Sequence, residues 1–375
     1  MNKNIKAELI LASKNQETND ILYTFLLTYP RIILAEVNTH TIASKNTASS
    51  RAIPTKKVIN NIFVNPFIPS SIGQYQSGMV AGKEIDGWKR TALEKLWEYS
   101  RYPALASAKI SLKLGAPKQF TNRLLEPWMI TEQIWSATDV ENEMLLRHHP
   151  DAEPHYEELA KYKNQIIRDV QAFFNGEVTI TDDIKNRCQV LNHGEWHLPF
   201  VRKSDWDSLA ELFENKTIYA DATGIFFSGK SGHVYIPCPT TQDKNTLEWK
   251  VDPNVVMKLI SCARCAWVSY EMPGEDSKKM NNLIAALSNY EKLIVSSPRH
   301  LSPTQHVAAA LPLSVRCGNL RGFLQHRKEI DGETGGDKET ISVTADMAKK
   351  LMDRTSSKEA KGYLIGAMEN FVRQL

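Results

Sequence analysis

A polar run over residues 38–54 carries His40, Ser44, Asn46, Ser49 and Arg51 directly after an apolar segment that ends at Val37. An imidazole, hydroxyls, an amide and a guanidinium crowded at the exit of a buried element make the donor set of a phosphate- or cofactor-binding loop. A phosphate monoester demands several cationic donors at once, so other arginines are needed. Arg123 lies in an otherwise apolar stretch over 115–127, and Arg147 closes Met144-Leu145-Leu146. An arginine in apolar context must find an anion. That anion is either a carboxylate of the chain, with Glu126 and Glu143 nearest in sequence, or a ligand.

Histidines form a second group. His306, after Ser302-Pro303, is placed to orient a planar ligand; the competing reading for His306, His40 and His326 is a satisfied, partly buried imidazole. For Ser44 and Ser49 the competing reading is helix capping and turn stabilisation. Cys262-Ala263-Arg264-Cys265 has the spacing of a zinc or redox pair, but no second Cys-x-x-Cys follows and only His193 and His197 stand as further ligands. Small core residues are the better reading of these cysteines, and no metal is expected. His148, His149 and His155 cluster in a Pro-containing context that reads as a turn. Walker, G-x-G-x-x-G and Ser-His-Asp patterns are absent, which excludes the commonest nucleotide and hydrolase sites.

The elements that must position these groups begin with strands over 7–12 and 21–29. A helix started by Pro30 runs to about Thr39, with Ile33, Leu34 and Val37 on one face, so the polar run reads as a helix exit and loop. Residues 58–82 read as a covering loop. Helices are expected over 84–114 with a break near Pro103, over 117–147, where Leu125, Trp128, Met129 and Trp135 recur at helical spacing, and over 154–174. Residues 180–183 and 215–227 mix turn and strand signals. A boundary is expected in 228–253, followed by helices over 253–270 and 278–287, a strand over 307–315, a helix over 318–328, an acidic turn over 330–337 and closing helices over 345–375. The succession of strand, proline, helix and histidine ending at His40 recurs weakly ending at His326, a candidate near-repeat.

The 375 residues suffice for two or three domains or one large domain with an appended piece. Hydrophobic content of 42%, charge of 24% and a net charge of +3 are ordinary globular values and argue for neither a nucleic-acid nor a membrane surface. No apolar run approaches the ~18 residues of a membrane span, the first residues lack a signal-peptide core, and the five cysteines are scattered. A cytoplasmic chain with reduced thiols is expected.

His40, Ser44, Asn46, Ser49 and Arg51 hold the spacing of R-H-R-x-x-S-x-N-x-x-S-x-R, and the chain here resembles the flavin-dependent thymidylate synthases (the ThyX family). Residues 115–127 resemble the family's G-x-x-x-x-x-x-x-R-x-x-x-P segment, and Leu146-Arg147 its L-R-x-x-x-x-A-Q motif. Arg264-Cys265-Ala266-Trp267-Val268-Ser269-Tyr270 is similar to R-A-x-R-V-S-Y, and Ser302-Pro303-Thr304-Gln305-His306 to S-P-x-E-H. In ordinary members the last two precede the signature. Their late position resembles longer, bacteriophage-encoded members with permuted or partly duplicated motifs, and Gln325-His326-Arg327 resembles a second copy of R-H-R. Thr39, Thr41, Thr47 and Gln305 depart from the patterns, mostly where the family holds its flavin.

The resemblance implies an α+β fold, a mixed sheet packed with long helices. Residues 1–227 would form a first region with an insertion after about 176, 228–253 a linker, and 254–375 a second region. It implies reductive methylation of dUMP, with methylenetetrahydrofolate giving the carbon and FAD and NADPH the hydride. Ser49, Arg51, Arg123 and Arg147 would bind the nucleotide, Ser49 and Arg147 acting in catalysis. His40, Ser44, Asn46, His306, Gln325, His326 and Arg327 would contact the cofactors. Alternatives are hydroxymethyl transfer to dUMP or dCMP, and a non-catalytic nucleotide-binding homologue. A homotetramer or dimer is expected.

Overall fold

Lys6–Asn15 (β1) and Ile21–Pro30 (β2) are strands where strands are expected and pair as an antiparallel hairpin, β2 being rich in the β-branched and aromatic residues that suit a pleated surface. Asn15 closes it: Oδ1 accepts from the backbone N–H of Glu17 at 3.0 Å and of Thr18 at 3.3 Å, and Nδ2 donates to the carbonyls of Leu311 and Gly322, both at 2.8 Å. Gly322 has φ of 69°, and a Cβ there would run into the Asp20 carboxylate and the Thr18 hydroxyl, so only glycine lets the two segments meet.

The computed structural model describes residues 4–78, 80–229, 232–270 and 281–330, and its contacts divide the chain into Met1–Gln325 and His326–Leu375. The first unit is α+β. Ser44–Thr47 (β3), Ile130–Ala137 (β4) and Cys188–Leu191 (β5) complete a sheet of order β3-β4-β2-β1-β5, antiparallel except for β1 with β5. Two expectations fail here. The polar run is not a plain loop, since its middle is the edge strand β3. The helix expected over 117–147 is a short turn at Lys118–Thr121, a 3-10 segment at Asn122–Trp128, β4 and a helix at Glu141–Arg147. Every residue of β4 but one is buried, so no alternation of polar and apolar residues marks it as a strand.

Strand side chains alternate between faces. On one face Tyr23, Phe25, Leu27 and Tyr29 of β2 and Trp135 of β4 pack with Tyr156, Leu159, Ala160, Ile167 and Val170 of the helix Pro154–Phe174, which falls where periodicity predicts it. On the other, Leu26 and Ile134 meet Cys265 and Val268. Cys265 belongs to the helix Pro253–Trp267, which is buried over most of its length; Asp252 caps it, accepting from Asn254 N at 2.8 Å, and Pro253 occupies its first turn.

The helix Gly87–Lys113 runs unbroken through Pro103. A proline costs roughly 3 kcal/mol inside a helix. Packing of Leu105 and Ala108 beyond it, with Trp97 before it, against Val58, Leu125 and Trp128 holds both halves in line. A helix at Thr55–Val64 takes the first part of the expected covering loop. The helix expected over 318–328 is instead strand: Phe323–Gln325 pairs with Ala308–Ala310, which pairs with Trp196–His197 (β6). His40 therefore follows a short helix and His326 a strand, so the near-repeat is not a structural one. After β6 lie the helix Lys203–Glu214 and an antiparallel sheet of Ile218–Ala220, Gly224–Gly229 and Gly232–Pro237, the first two strands falling on the mixed turn and strand signals of 215–227. That sheet crosses the start of the expected linker at 228, and the contact division falls after Gln325. Residues 331–375, with most of the expected acidic turn and the closing helices, lie outside the described residues; the helix expected over 278–287 is observed at Leu283–Tyr290.

Candidate functional site

The register of β3 on β4 sets Ser44 opposite Ser136 and Asn46 opposite Ile134, while Lys45 and Thr47 lie opposite Trp135 and Gln133. Alternation thus splits the signature between the two faces of the sheet.

On the face toward the helix Pro154–Phe174 lies a charged centre. Arg147, at the end of its helix, donates from Nε to His40 Nε2 at 2.9 Å and from Nη2 to Thr39 Oγ1 at 2.9 Å, and its guanidinium lies 4.8 Å over the Tyr156 ring. His40 accepts on Nε2, so its ring proton sits on Nδ1. Burial, opposed by Glu143 and reinforced by Arg147, Lys163 and Lys45, holds its pKa below the ordinary histidine value. Lys45 donates to the His40 carbonyl. Burial pulls its ammonium down to about 8 against the attraction of Glu143, with Lys163 adding to the fall. Glu143 does not pair with Arg147. It is buried, bonded to Lys163 Nζ, and accepts from Tyr156 Oη at 2.9 Å; burial would raise its pKa, but Lys163 overcomes this and holds the carboxyl below its usual range. One carboxylate thus neutralises Lys163. Arg147 and Lys45 have no carboxylate partner among the described residues.

The opposite face of β3 is a bracket of amides. Asn46 Nδ2 donates to the Cys265 carbonyl at 2.8 Å, and its Oδ1 accepts from Ser269 Oγ at 3.1 Å and Ser302 Oγ at 3.3 Å. Ser44 Oγ accepts from Gln325 Nε2 at 2.9 Å and Asn319 Nδ2 at 3.3 Å. Gln325 also reaches the Gln305 carbonyl, and Gln305 Nε2 donates to the Lys45 carbonyl at 2.8 Å, covering the open edge of β3. The motif segments that are distant in sequence therefore meet, through buried hydrogen bonds among themselves. His306 is fully buried, its Nδ1 2.8 Å from Ser136 Oγ. His326 and Arg327 open the second unit, where His326 Nδ1 meets Glu329 Oε2 at 2.7 Å.

Beyond β3 the chain turns on Ser49, whose Oγ accepts from Arg51 N at 3.3 Å and whose own N–H donates to the Ser269 carbonyl at 3.0 Å. Asn122 Nδ2 holds this turn through the carbonyls of Ser50 at 2.6 Å and Ile53 at 2.9 Å. Arg51 and Arg123 flank that contact, both exposed and without an ion pair among the described residues. Glu126, the carboxylate nearest Arg123 in sequence, pairs with Arg31 at 3.1 Å.

Arg264, the first residue of the R-A-x-R-V-S-Y-like segment, is a scaffold cation, held by both oxygens of Asp205 at 2.5 and 2.8 Å. Cys262 and Cys265 are fully buried on the same helix, and burial raises the Cys265 thiol far above its ordinary value. His193 meets the Ala310 carbonyl, and His155 lies between Glu153 and Ser70 N. A groove of about 540 Å³ between residues 69–72 and Leu93, Leu96 and Trp97 is lined mainly by apolar groups, with Glu153 and His155 at its wall, and holds none of the residues expected to bind nucleotide or cofactor.

No protein-family model and no curated protein sequence matches the chain. Among solved structures the chain is similar to thymidylate synthase X from Helicobacter pylori with FAD and dUMP, at 16% identity and a TM-score of 0.28 over 39% of this chain and 66% of that one. It is similar to the UMP/dUMP methylase PolB from Streptomyces cacaoi bound with 5-Br UMP, at 12% identity and a TM-score of 0.37 over 45% and 89%. A second structure of the Helicobacter enzyme with FAD and dUMP gives 19% identity and a TM-score of 0.26 over 39% and 67%. The chain thus spans just under two thirds of the first of these.

Lys45, Tyr156 and Lys163 were not selected from sequence. A signal existed for Lys163: it stands seven residues after Tyr156 on the face of an amphipathic helix that also carries Leu159, Ala160 and Ile167. A charge on such a stripe demands a partner as surely as an arginine in an apolar run. Lys45 carried no signal, since only the strand alternation of β3 turns it toward the charged centre.

Proposed function

We propose that this chain binds a pyrimidine deoxynucleotide of the dUMP type and serves one-carbon transfer to its ring. The observation that carries the reading is Arg147: a half-buried guanidinium fixed by His40, Thr39 and the Tyr156 ring, beside Lys45, with cationic charge in excess of the buried carboxylates. Such a centre is completed by an anion or by an oxygen on which negative charge develops. A uracil carbonyl is such an oxygen in the enolate form of the ring that makes C5 nucleophilic, and Arg147 would stabilise it without reorganising. The exposed Arg51 and Arg123, joined through the Ser49 turn and Asn122, would hold the phosphate, and Ser49 would fix their spacing.

The residues expected to hold FAD fit that role poorly. Ser44 and Gln325 are bonded to each other, Asn46 spends its amide on the Cys265 carbonyl and the Ser269 and Ser302 hydroxyls, and His306 is fully buried. No step is therefore routed through flavin, NADPH or methylenetetrahydrofolate. This favours, as a second reading, hydroxymethyl transfer, in which water rather than hydride completes the reaction. Calorimetric titration with dUMP tests the nucleotide reading: Arg147→Ala is expected to weaken binding by about 1.5–3 kcal/mol, the worth of a charged hydrogen bond, and unchanged affinity would refute it. The visible spectrum after incubation with FAD, and mass analysis of dUMP treated with methylenetetrahydrofolate, separate a methyl from a hydroxymethyl product.

A further inference from the structure

A polar row crosses the face of the sheet that looks toward His197 and His306. Gln189 of β5 lies opposite Ser13 of β1, and Thr24 of β2 lies opposite Ser136 of β4. Two imidazoles stitch the row together. Gln189 Nε2 donates to Ser13 Oγ at 2.9 Å, Ser13 Oγ lies 2.6 Å from His197 Nδ1, and His197 Nε2 lies 2.8 Å from Thr24 Oγ1. Thr24 Oγ1 lies 2.7 Å from Ser136 Oγ, which lies 2.8 Å from His306 Nδ1. Both imidazoles are wholly inaccessible to solvent. His306 Nε2 has no hydrogen-bond partner among the described residues.

Each hydroxyl in such a chain has one proton, and each neutral imidazole has one donor and one acceptor nitrogen, so a donor fixed at one end fixes every link. Gln189 supplies that end, because its amide N–H donates to Ser13. Ser13 then donates to His197 Nδ1, His197 Nε2–H to Thr24, Thr24 to Ser136, and Ser136 to His306 Nδ1. Run the other way, Ser13 would receive two donors while its own proton found no acceptor among the described residues. We propose that His197, through this one-way chain, is a positioning residue that fixes His306 as the neutral tautomer protonated on Nε2. The chain orients and does not conduct: an amide cannot replace a proton passed along it. Burial, which pushes both imidazoles down to about 3, keeps both neutral at working pH. The inference does not depend on the nucleotide reading.

The test is a long-range proton–nitrogen correlation spectrum of the full chain labelled with ¹⁵N-histidine, with histidines assigned by substitution. His197 and His306 should both report a proton on Nε2 alone, unchanged between about pH 5 and 8. Gln189→Glu replaces the terminal donor by a carboxylate that accepts from Ser13. It should invert the chain and move the proton of both imidazoles to Nδ1, at His306 with one histidine and three hydroxyls between it and the substitution. Thr24→Val, which cuts the chain, should leave His306 as a tautomer mixture, and Thr24→Ser should restore the single form. A wild-type His306 carrying its proton on Nδ1, or on both nitrogens, overturns the proposal whether or not the variants fold. So does a folded Gln189→Glu protein whose His306 pattern is unmoved.

Discussion

Replacing Lys163 by methionine removes an ammonium whose side chain is 2% exposed and leaves the Glu143 carboxylate, 5% exposed, with the Tyr156 hydroxyl. Breaking a buried pair by deleting one partner costs about 3–5 kcal/mol, because the remaining charge keeps its desolvation penalty and loses its compensation. Glu143→Leu alone strands Lys163 and frees the Tyr156 hydroxyl, at a similar cost. The double variant buries no charge and keeps only the orphaned hydroxyl, at about 1–3 kcal/mol. The singles should therefore sum to about 6–10 kcal/mol while the double costs less than either, a large coupling for two residues in direct contact. Urea unfolding followed by tryptophan fluorescence measures this. With a slope near 3 kcal/mol/M, each single variant should lower the midpoint by about 1–1.7 M. A double variant as costly as the sum of the singles, or a Lys163→Met cost under about 1 kcal/mol, would refute the view that this pair is a mutually compensated buried charge.

Two pH dependences follow from the shifted groups. Lys45, with its pKa near 8, is charged below that value and neutral above it, so nucleotide affinity should hold from about pH 7 to 7.5 and weaken as pH rises past 8. Titration calorimetry across pH 7–9.5 should show this decline in the wild type and not in Lys45→Arg, whose guanidinium stays charged; an identical decline in both would remove Lys45 from the site. For His197 and His306 the folded values near 3 lie below the unfolded value of about 6.5, so the folded state binds fewer protons and stability is complete above pH 6.5 and lost as pH falls toward 3. With both imidazoles contributing, stability should fall by about 2.7 kcal/mol per pH unit around pH 5, and His197→Gln should halve that slope in urea midpoints measured from pH 6 to 4.5. An unaltered slope would show that His197 titrates normally.

What could be read from the chain alone followed the strength of each local signal. The helices Pro154–Phe174 and Pro253–Trp267 combine a starting proline with a long apolar pattern, and β2 concentrates β-formers, so these elements stand where they are expected. β4 was hidden because it is central: with Thr131, Gln133 and Ser136 as buried as Ile134, the strand shows no period of two, and Trp128, Met129 and Trp135 supply a false helical one. Phe323–Gln325 was hidden by its brevity, since three residues hold no period at all. His197 could not have been assigned from sequence, because its partners Ser13 and Thr24 lie 184 and 173 residues away and meet it only through the sheet.

The same geometry decides how a linear motif becomes a site. A signature read along the chain treats His40, Ser44, Asn46 and Arg51 as one constellation, but a strand through its middle gives consecutive residues to opposite faces. Ser44 and Asn46 therefore tie the late segments around Ser302 and Gln325 to the sheet, while Lys45 joins His40 and Arg147 on the other side. The bracket residues hold β3 flat at the sheet edge, and that placement aims Lys45. A change at Asn46 should thus disturb the charged centre without touching it: Asn46→Ala strands the Ser269 and Ser302 hydroxyls and the Cys265 carbonyl, at about 1–3 kcal/mol of stability. Nucleotide affinity in Asn46→Ala should fall together with that stability, whereas Arg147→Ala should lower affinity with stability nearly unchanged. If Asn46→Ala lost affinity at full stability, the amide would be a ligand contact and the bracket would be the wrong description of its face.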